Sequence, residues 1–361
     1  MTDVVPPVEL ASIVNLDDFE PHARERMAGP AYDYVAGGAW DEITLRESVE
    51  AWRRARFVPR VLTGVRTVDA SGIFLGRPAS LPIAIAPMAA QALAHPDGER
   101  EAMRGAVEAG IPYCLSTSSS ERLEEVAAVA PNAERWFQLY LVHSLAWSRQ
   151  LVERATEAGY RAIVLTVDLP VLGYRERDRR SGFALPAMPH IDEAAGEPHS
   201  RYGGLERQHE LGLDWDTVEA MRTWTDVPIV LKGILAPEDA RRAVDAGVAG
   251  VIVSTHGARQ LDRSIATAEA LGPVVAAVAG RSEVWVDGGI RRGLDVAVAM
   301  ALGATGVLVG RPFYWALAAA GAPGIAKAAM ILREELELAL QLLGVADVRG
   351  LDRSLLAGRD G

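Results

Sequence analysis

Pro228-Ile229-Val230-Leu231-Lys232-Gly233-Ile234 is followed by an amphipathic stretch ending at Asp245-Ala246-Gly247, and then by Gly250-Val251-Ile252-Val253-Ser254-Thr255-His256. Two short, β-branched, nearly all-apolar runs flank a helical pattern closed by glycine. A glycine just past a helix supplies the left-handed residue that stops it. Runs that are apolar throughout suit strands buried on both faces, as in parallel sheets. The segment therefore reads as strand, helix, strand.

The same unit recurs outward in both directions. Strand candidates lie at 81–87, 112–118, 134–141, 161–168, 228–234, 250–256, 283–288 and 305–310, and further glycine-closed joins read Glu108-Ala109-Gly110, Glu157-Ala158-Gly159 and Ala301-Leu302-Gly303. Eight strands alternating with helical patterns predict an α/β fold, a closed (β/α)8 TIM barrel. An open doubly wound sheet competes, but no G-x-G-x-x-G follows any of these strands. One domain is expected over 1–361, with the barrel at 81–343 and a C-terminal tail at 344–361. Residues 1–80 are expected to precede the barrel, mainly helical over 1–66, with a hairpin over Thr67–Leu75 that turns at Ser71-Gly72 and closes the barrel floor. The longest irregular insertion, 173–212, follows the fourth strand on the face where such barrels carry function, so it is predicted to be a lid.

Composition narrows the function classes. The chain has 361 residues, 49% hydrophobic and 24% charged, which fits a globular core. Its net charge of −11 repels phosphate backbones, so no nucleic-acid partner is expected. The apolar stretches near 294–310 and 312–326 are broken by Asp295, Gly303, Gly306, Gly321 and Pro323, and no membrane partner is expected. A single cysteine, Cys114, argues against a disulfide scaffold or a Cys-rich metal site, and no metal is expected. Met1–Pro7 lacks the basic and apolar regions of a secretory signal, so a cytoplasmic location is expected. Lys232 and Lys327 are the only lysines among 37 basic residues. A lysine kept against that bias marks a place where a compact point charge suits better than a planar fork.

Chemistry in this fold sits at the C-terminal ends of the strands. Those ends carry Gln138 and Tyr140, Thr166 and Asp168, Lys232, Ser254 and His256, Asp287-Gly288-Gly289 with Arg291, and Gly310-Arg311. Any one of these could be a capped turn. Together they would be costly to bury unless they pair with one another or with a ligand. Glycine and arginine on the last two strands suit a phosphate group. His256 with Asp168 suits a base and its orienting carboxylate, and Arg259 suits a substrate carboxylate.

These residues also form a familiar pattern. Ser254-Thr255-His256-Gly257-Ala258-Arg259-Gln260-Leu261-Asp262 resembles the S-N-H-G-x-R-Q-L-D signature of the FMN-dependent α-hydroxy acid oxidases and dehydrogenases. The resemblance extends to Tyr32–Ala39, Ile85-Ala86-Pro87, His95-Pro96-Asp97-Gly98-Glu99, Phe137–Tyr140, Leu165–Asp168, Val230–Gly233, Asp287–Gly293 and Gly310-Arg311-Pro312, almost the whole chain. Gly182–Pro186 and Trp315–Gly321 look most like the hydroxymandelate oxidases. The resemblance implies that FMN is held by the backbone of Pro87, Met88 and Ala89 and by Ser116, Gln138, Thr166, Lys232 and Ser254. It places the phosphate on Asp287, Gly288, Gly289, Arg291, Gly310 and Arg311. It makes His256 the base oriented by Asp168, sets Lys232 against the flavin, gives the substrate carboxylate to Arg259 and Arg175, and has Tyr34 and Tyr140 hydrogen-bond the substrate.

The chain departs from the pattern at Thr255, which replaces an asparagine, and at Ser118, where glycolate oxidases carry a bulky aromatic. Of the arginine pair expected after the fourth strand, Gly173-Tyr174-Arg175 keeps the second. Met88 is unusual at its place, and Ala89 matches the oxidases. The implied activity is oxidation of an (S)-2-hydroxy acid, with an aromatic or bulky side chain, by dioxygen to a 2-oxo acid and hydrogen peroxide. A homo-oligomer, tetramer or octamer, is implied too. A dehydrogenase with another acceptor, a decarboxylating monooxygenase, a specialised biosynthetic flavoenzyme of the same family, a flavin-free lyase using Lys232 as a Schiff base, and a silent scaffold all remain open on the sequence.

Overall fold

The computed structural model describes residues 7–195 and 212–358. The part of the expected lid at 196–211 lies outside the described residues. A short hairpin, β1 (Gly72–Phe74) with β2 (Arg77–Ala79), precedes eight parallel strands: β3 (Ile83–Ile85), β4 (Tyr113–Ser116), β5 (Arg135–Leu139), β6 (Ile163–Thr166), β7 (Ile229–Ile234), β8 (Gly250–Val253), β9 (Glu283–Val286) and β10 (Gly306–Val309). They pair in sequence order, and β10 closes on β3 through Val307 opposite Ile83, making the (β/α)8 barrel.

Side chains alternate across each strand, so one parity faces the lumen and the other faces the helices. Ala84, Cys114, Trp136, Val164, Val230, Ile252, Trp285 and Leu308 form one buried cluster inside the barrel. Their neighbours Ile83, Leu115, Phe137, Leu165, Leu231, Val251, Val286 and Val307 belong to the larger outer core, under the helices. The near-continuous apolar runs arise because both faces are buried.

The hairpin closes the barrel floor. Phe74 lies 5.8 Å from Trp136, edge-on, and 6.3 Å from Trp285, stacked, while the two tryptophans meet edge-on at 5.1 Å. Its turn differs from the expectation. Leu75 and Gly76 make a two-residue loop with φ of +48° and +76°, the left-handed pair that a tight hairpin needs. Ser71-Gly72 is not the turn. Gly72 answers to close packing instead, since a Cβ there would meet Pro82 Cα at 2.5 Å.

The N-terminal segment is helical over Phe19–Arg26, Gly29–Ala36 and Ile43–Arg53, and irregular from there to the hairpin. The expected helicity stops short of residue 66 because tertiary partners take the backbone. Val58 N donates to Leu355 O (2.8 Å), Arg60 N to Leu343 O (3.2 Å) and Asp69 N to Ala346 O (2.8 Å), so the C-terminal tail covers this stretch. The last helix, Arg311–Leu343, is long and apolar enough to cross a membrane, but it breaks at Ala320-Gly321 and is largely buried against neighbouring helices.

Helices Glu176–Ser181 and Pro189–Ala195 follow β6. The buried His190 fastens this segment to the barrel. Its Nε2 accepts from Leu123 N (2.9 Å) and its Nδ1 lies 3.1 Å from Thr117 O. Accepting at Nε2 requires a neutral ring, and burial pushes the His190 imidazole down to about 4.

Candidate active site

Two residues further up each lumen-facing file, the side chains become polar. Trp136 gives way to Gln138 and then Tyr140, Val164 to Thr166 and Asp168, Val230 to Lys232, Ile252 to Ser254 and His256, and Trp285 to Asp287. These groups satisfy one another around the ring. Ser116 Oγ donates to Gln138 Oε1 (3.0 Å), and Gln138 Nε2 to Thr166 Oγ1 (3.0 Å). Lys232 Nζ donates to Ser254 Oγ (2.8 Å) and pairs with Asp287 Oδ2 (2.9 Å). Burial alone would lower the Lys232 ammonium, but Asp287 and Asp168 hold it above its usual range, so it stays charged.

The His256 ring is held at both nitrogens. Nδ1 lies 2.9 Å from Asp168 Oδ1, and Nε2 lies 3.1 Å from the Tyr140 hydroxyl. Burial is the largest effect on both partners of the first contact. It pushes the imidazole below its usual value despite Asp168, and it would raise the Asp168 carboxyl were that not outweighed by His256 and Lys232. With Asp168 anionic, Nδ1 carries the proton and Nε2 keeps a lone pair, which the tyrosine hydroxyl caps.

The backbone under this imidazole is strained. His256, Gly257 and Ala258 have φ of +57°, +63° and +61°, two of them at residues with a Cβ. Several bonds hold the turn: His256 N to Ser254 Oγ (3.0 Å), Ala39 N to Ala258 O (2.9 Å) and Arg311 Nη1 to Gly257 O (2.9 Å). Arg311 also donates to Val35 O and Gly37 O, so its guanidinium stitches this turn to the N-terminal helix. Burial, followed by Arg259, pushes Arg311 down to about 9.

Arg259 stacks its guanidinium 4.6 Å above the Tyr34 ring and donates through Nη1 to Tyr34 O and Gly37 O. Its Nη2 is buried without a partner. Arg175 reaches Arg259 O (3.2 Å) and Gln260 Oε1 (3.4 Å) through Nε and Nη2, and burial, then Arg259, pushes it down to about 10. Two cations share one end of the cleft, an arrangement that favours an anion.

The cleft has an empty volume of about 1130 Å³, its open mouth included. The structure brings nearly all the expected residues to its wall. Pro87, Met88, Ala89, Ser116 and Thr166 line one side with Lys232. Asp287, Gly288, Gly289, Arg291, Gly310 and Arg311 line another, and Tyr34, Tyr140, Arg175, His256 and Arg259 a third. Gln138, Ser254 and Asp168 stand behind the wall, each bonded to a lining residue. Leu169, Leu172 and Leu185 also line the cleft. The sequence had no means of flagging them, because a leucine in a loop looks the same whether it faces a ligand or the core. Tyr314 was missed likewise. It lies in a long apolar helix, yet its hydroxyl donates to Ala90 O (2.8 Å) beneath the cleft.

The comparisons with known proteins agree with this geometry. The model of the FMN-dependent dehydrogenase family matches residues 23–358. The chain belongs to that family. It is 47% identical to a 4-hydroxymandelate oxidase of Amycolatopsis orientalis, over 93% of this chain and 96% of the relative, and 43% identical to an L-lactate oxidase of Nostoc sp., over 96% and 99%. Among solved structures, mandelate oxidase with (S)-2-phenylpropionate superposes with a TM-score of 0.86 at 46% identity, covering 96% of this chain and 98% of that one. Mandelate oxidase with benzoyl-formic acid superposes equally well, with the same identity and coverage.

FMN is the cofactor of the FMN-dependent dehydrogenases, and the cleft of this member fits it. A Cβ on Gly310 would project into the cleft at only ordinary contact, 3.7 Å from Met88 Sδ, so the bare backbone leaves room there. Asp287 Oδ1 and Ser118 Oγ, on two lining residues, are buried without partners, the polar surplus expected where a ligand completes the hydrogen bonding. Lys232 spends two of its three protons on Ser254 and Asp287 and retains one for the cleft.

Proposed function

We propose that this family member oxidises (S)-2-hydroxy acids with an aromatic or similarly bulky side chain to 2-oxo acids, with dioxygen taking up two electrons and two protons and leaving as hydrogen peroxide. One observation carries the reading. His256 presents an oriented, neutral Nε2 to a cleft that half-buried Arg259 also lines, with a buried Nη2 left unpaired. Arg259, with Arg175 beside it, would hold the substrate carboxylate. The substrate hydroxyl would displace the Tyr140 hydroxyl from Nε2 and pass its proton there, while Asp168 stabilises the imidazolium that forms. Tyr140 would then hydrogen-bond the substrate oxygen. The Lys232 ammonium, fixed by Asp287 and Ser254, would stabilise negative charge developing in the cleft. Bound FMN supplies the two-electron acceptor.

Ser118, in place of a bulky aromatic, and the leucines of the wall support a large apolar side chain, as does the likeness to 4-hydroxymandelate and mandelate oxidases. A cytoplasmic homo-oligomer completes the proposal. The test is anaerobic mixing of FMN-loaded protein with (S)-mandelate, (S)-4-hydroxymandelate, (S)-lactate and glycolate, followed at the flavin band, and then admission of oxygen. The aromatic acids should reduce the flavin fastest, and each turnover should yield one peroxide. The opposite order refutes the substrate class, and a peroxide yield well below stoichiometric refutes the oxidase outcome.

A further inference from the structure

His95-Pro96-Asp97-Gly98-Glu99 takes no part in the chemistry above, yet Glu99 is the carboxylate buried most completely in the described molecule, with no exposed surface. It sits in the first turn of helix Gly98–Ala109, behind the cleft. Its Oε1 accepts from Gln91 N (3.0 Å) and Ser120 N (2.9 Å). Those two amides belong to different loops, one leaving β3 and the other leaving β4. The first loop carries Met88 and Ala89 and the second follows Ser116 and Ser118, all on the cleft wall. A backbone bond from Ala90 N to Ser118 O (2.9 Å) fastens the loops directly, with Ala90 at φ +50°. Glu99 is thus the knot that ties the two loops under the cofactor cleft.

The other carboxyl oxygen is the informative one. Glu99 Oε2 is buried with no partner, and so is Gln91 Oε1. The Gln91 amide meets the Tyr113 hydroxyl (2.8 Å), which can donate or accept, but its Nε2 also donates to Met88 O (3.4 Å), a contact that a flip would turn into two opposed oxygens. The two residues are already joined through Gln91 N, and each is left with a buried acceptor that no donor reaches. A proton on Oε2 would turn that oxygen into a donor and Gln91 Oε1 into its acceptor. The titratable groups that act on Glu99 include Glu121, from the loop after β4 and itself paired with Arg100 (2.5 Å), and the hydroxyls of Tyr113, Tyr160 and Tyr314; among the described residues no ion pair reaches Glu99 itself.

We propose that Glu99 is carried as the neutral carboxylic acid when the cleft is assembled, and that it acts as a positioning residue for the two cofactor-facing loops. Burial, opposed by its backbone bonds, pushes this carboxyl up to about 7, in keeping with that state. The proposal rests on the cleft being the FMN site but not on the substrate class, so its readouts are set on the cofactor.

FMN affinity of Glu99→Gln and Glu99→Ala, by flavin fluorescence titration of refilled protein, separates the possibilities. Glutamine is the isostere of the neutral acid, with an acceptor for both amides and an N–H for Gln91. Glu99→Gln should keep FMN affinity, the visible flavin spectrum and kcat within about threefold of wild type at pH 6. Glu99→Ala should weaken FMN about tenfold or more and shift the flavin band. Equal damage from both variants overturns the neutral-acid assignment, and normal FMN affinity in Glu99→Ala overturns the positioning role. Should either variant fail to fold, infrared titration of the unmodified holoenzyme decides. A carboxylic-acid carbonyl band that persists at pH 6 and fades as pH rises past neutrality supports the proposal, and its absence at pH 6 refutes it.

Discussion

The lower and upper halves of the barrel interior are built from the same strands and the same alternation, yet they are opposite in chemistry. The lower half is a plug of Phe74, Trp136 and Trp285 with aliphatic side chains between them. The upper half holds Lys232, Asp287, Asp168 and His256, mutually paired but with buried atoms left over, among them Asp168 Oδ2, Asp287 Oδ1 and Arg259 Nη2. Aromatic packing contributes stability and asks nothing of a ligand. Buried charges cost desolvation, and what they return is a preorganised field in the cleft. A single file shows the division: Trp136, Gln138 and Tyr140 are successive lumen-facing residues of one strand and its exit.

Substitutions at the two levels should therefore fail differently. The largest effect is expected at the top. His256→Gln should slow anaerobic flavin reduction by about 10⁴-fold, about 5 kcal/mol of barrel-mouth chemistry, while leaving FMN binding and the urea midpoint nearly unchanged. Stopped-flow absorbance and equilibrium unfolding check both halves of the statement. Next comes the floor. Trp136→Ala should lose about 4 kcal/mol of stability through the cavity it opens, with the reduction rate of the folded fraction within about threefold of wild type. A large rate loss there would mean that the two levels are mechanically coupled and would break the comparison.

A third effect concerns acid stability. The His190 pKa lies at about 4 in the folded chain, below its ordinary value of 6.5. The unfolded chain then takes up a proton first as pH falls. The stability linked to His190 is complete above about pH 6.5 and is lost progressively down to about pH 4, amounting to about 3 kcal/mol. Urea unfolding at a series of pH values should show this slope, and His190→Gln should flatten it. The smallest effect is expected beside the base. Thr255→Asn supplies an amide where Thr255 Oγ1 is now unpartnered, and it should raise the flavin reduction rate by no more than about fivefold. A loss of rate would show that this member has adapted its cleft to the threonine.

Much of this was legible in the residues themselves. The eight apolar runs with glycine-closed helices between them predict the barrel, and the polar strand ends locate its working face, because strand order and direction follow from local pattern. The hairpin turn was misplaced because Gly72 looks like a turn glycine and is instead a packing glycine against Pro82. The helicity expected up to residue 66 fails because backbone groups after Arg53 find partners in a tail nearly 300 residues away, which no local window contains. Gln138, Ser254 and Asp168 were read as members of the site, but whether they face the cleft or stand behind it depends on rotamers set by their neighbours.

By itself, then, the order of residues determined the architecture, the family and the roster of polar groups at the barrel mouth, since alternation and periodicity are properties of neighbours along the chain. Tertiary structure alone decided which parity faces the lumen, that Arg311 is spent on three carbonyls, that an Arg259 nitrogen is left buried and unpaired, and that Glu99 knots two loops beneath the cleft. Those outcomes depend on closure of the sheet and on exclusion of water. Both bring together groups far apart in sequence and make each unpaired polar atom costly enough to matter.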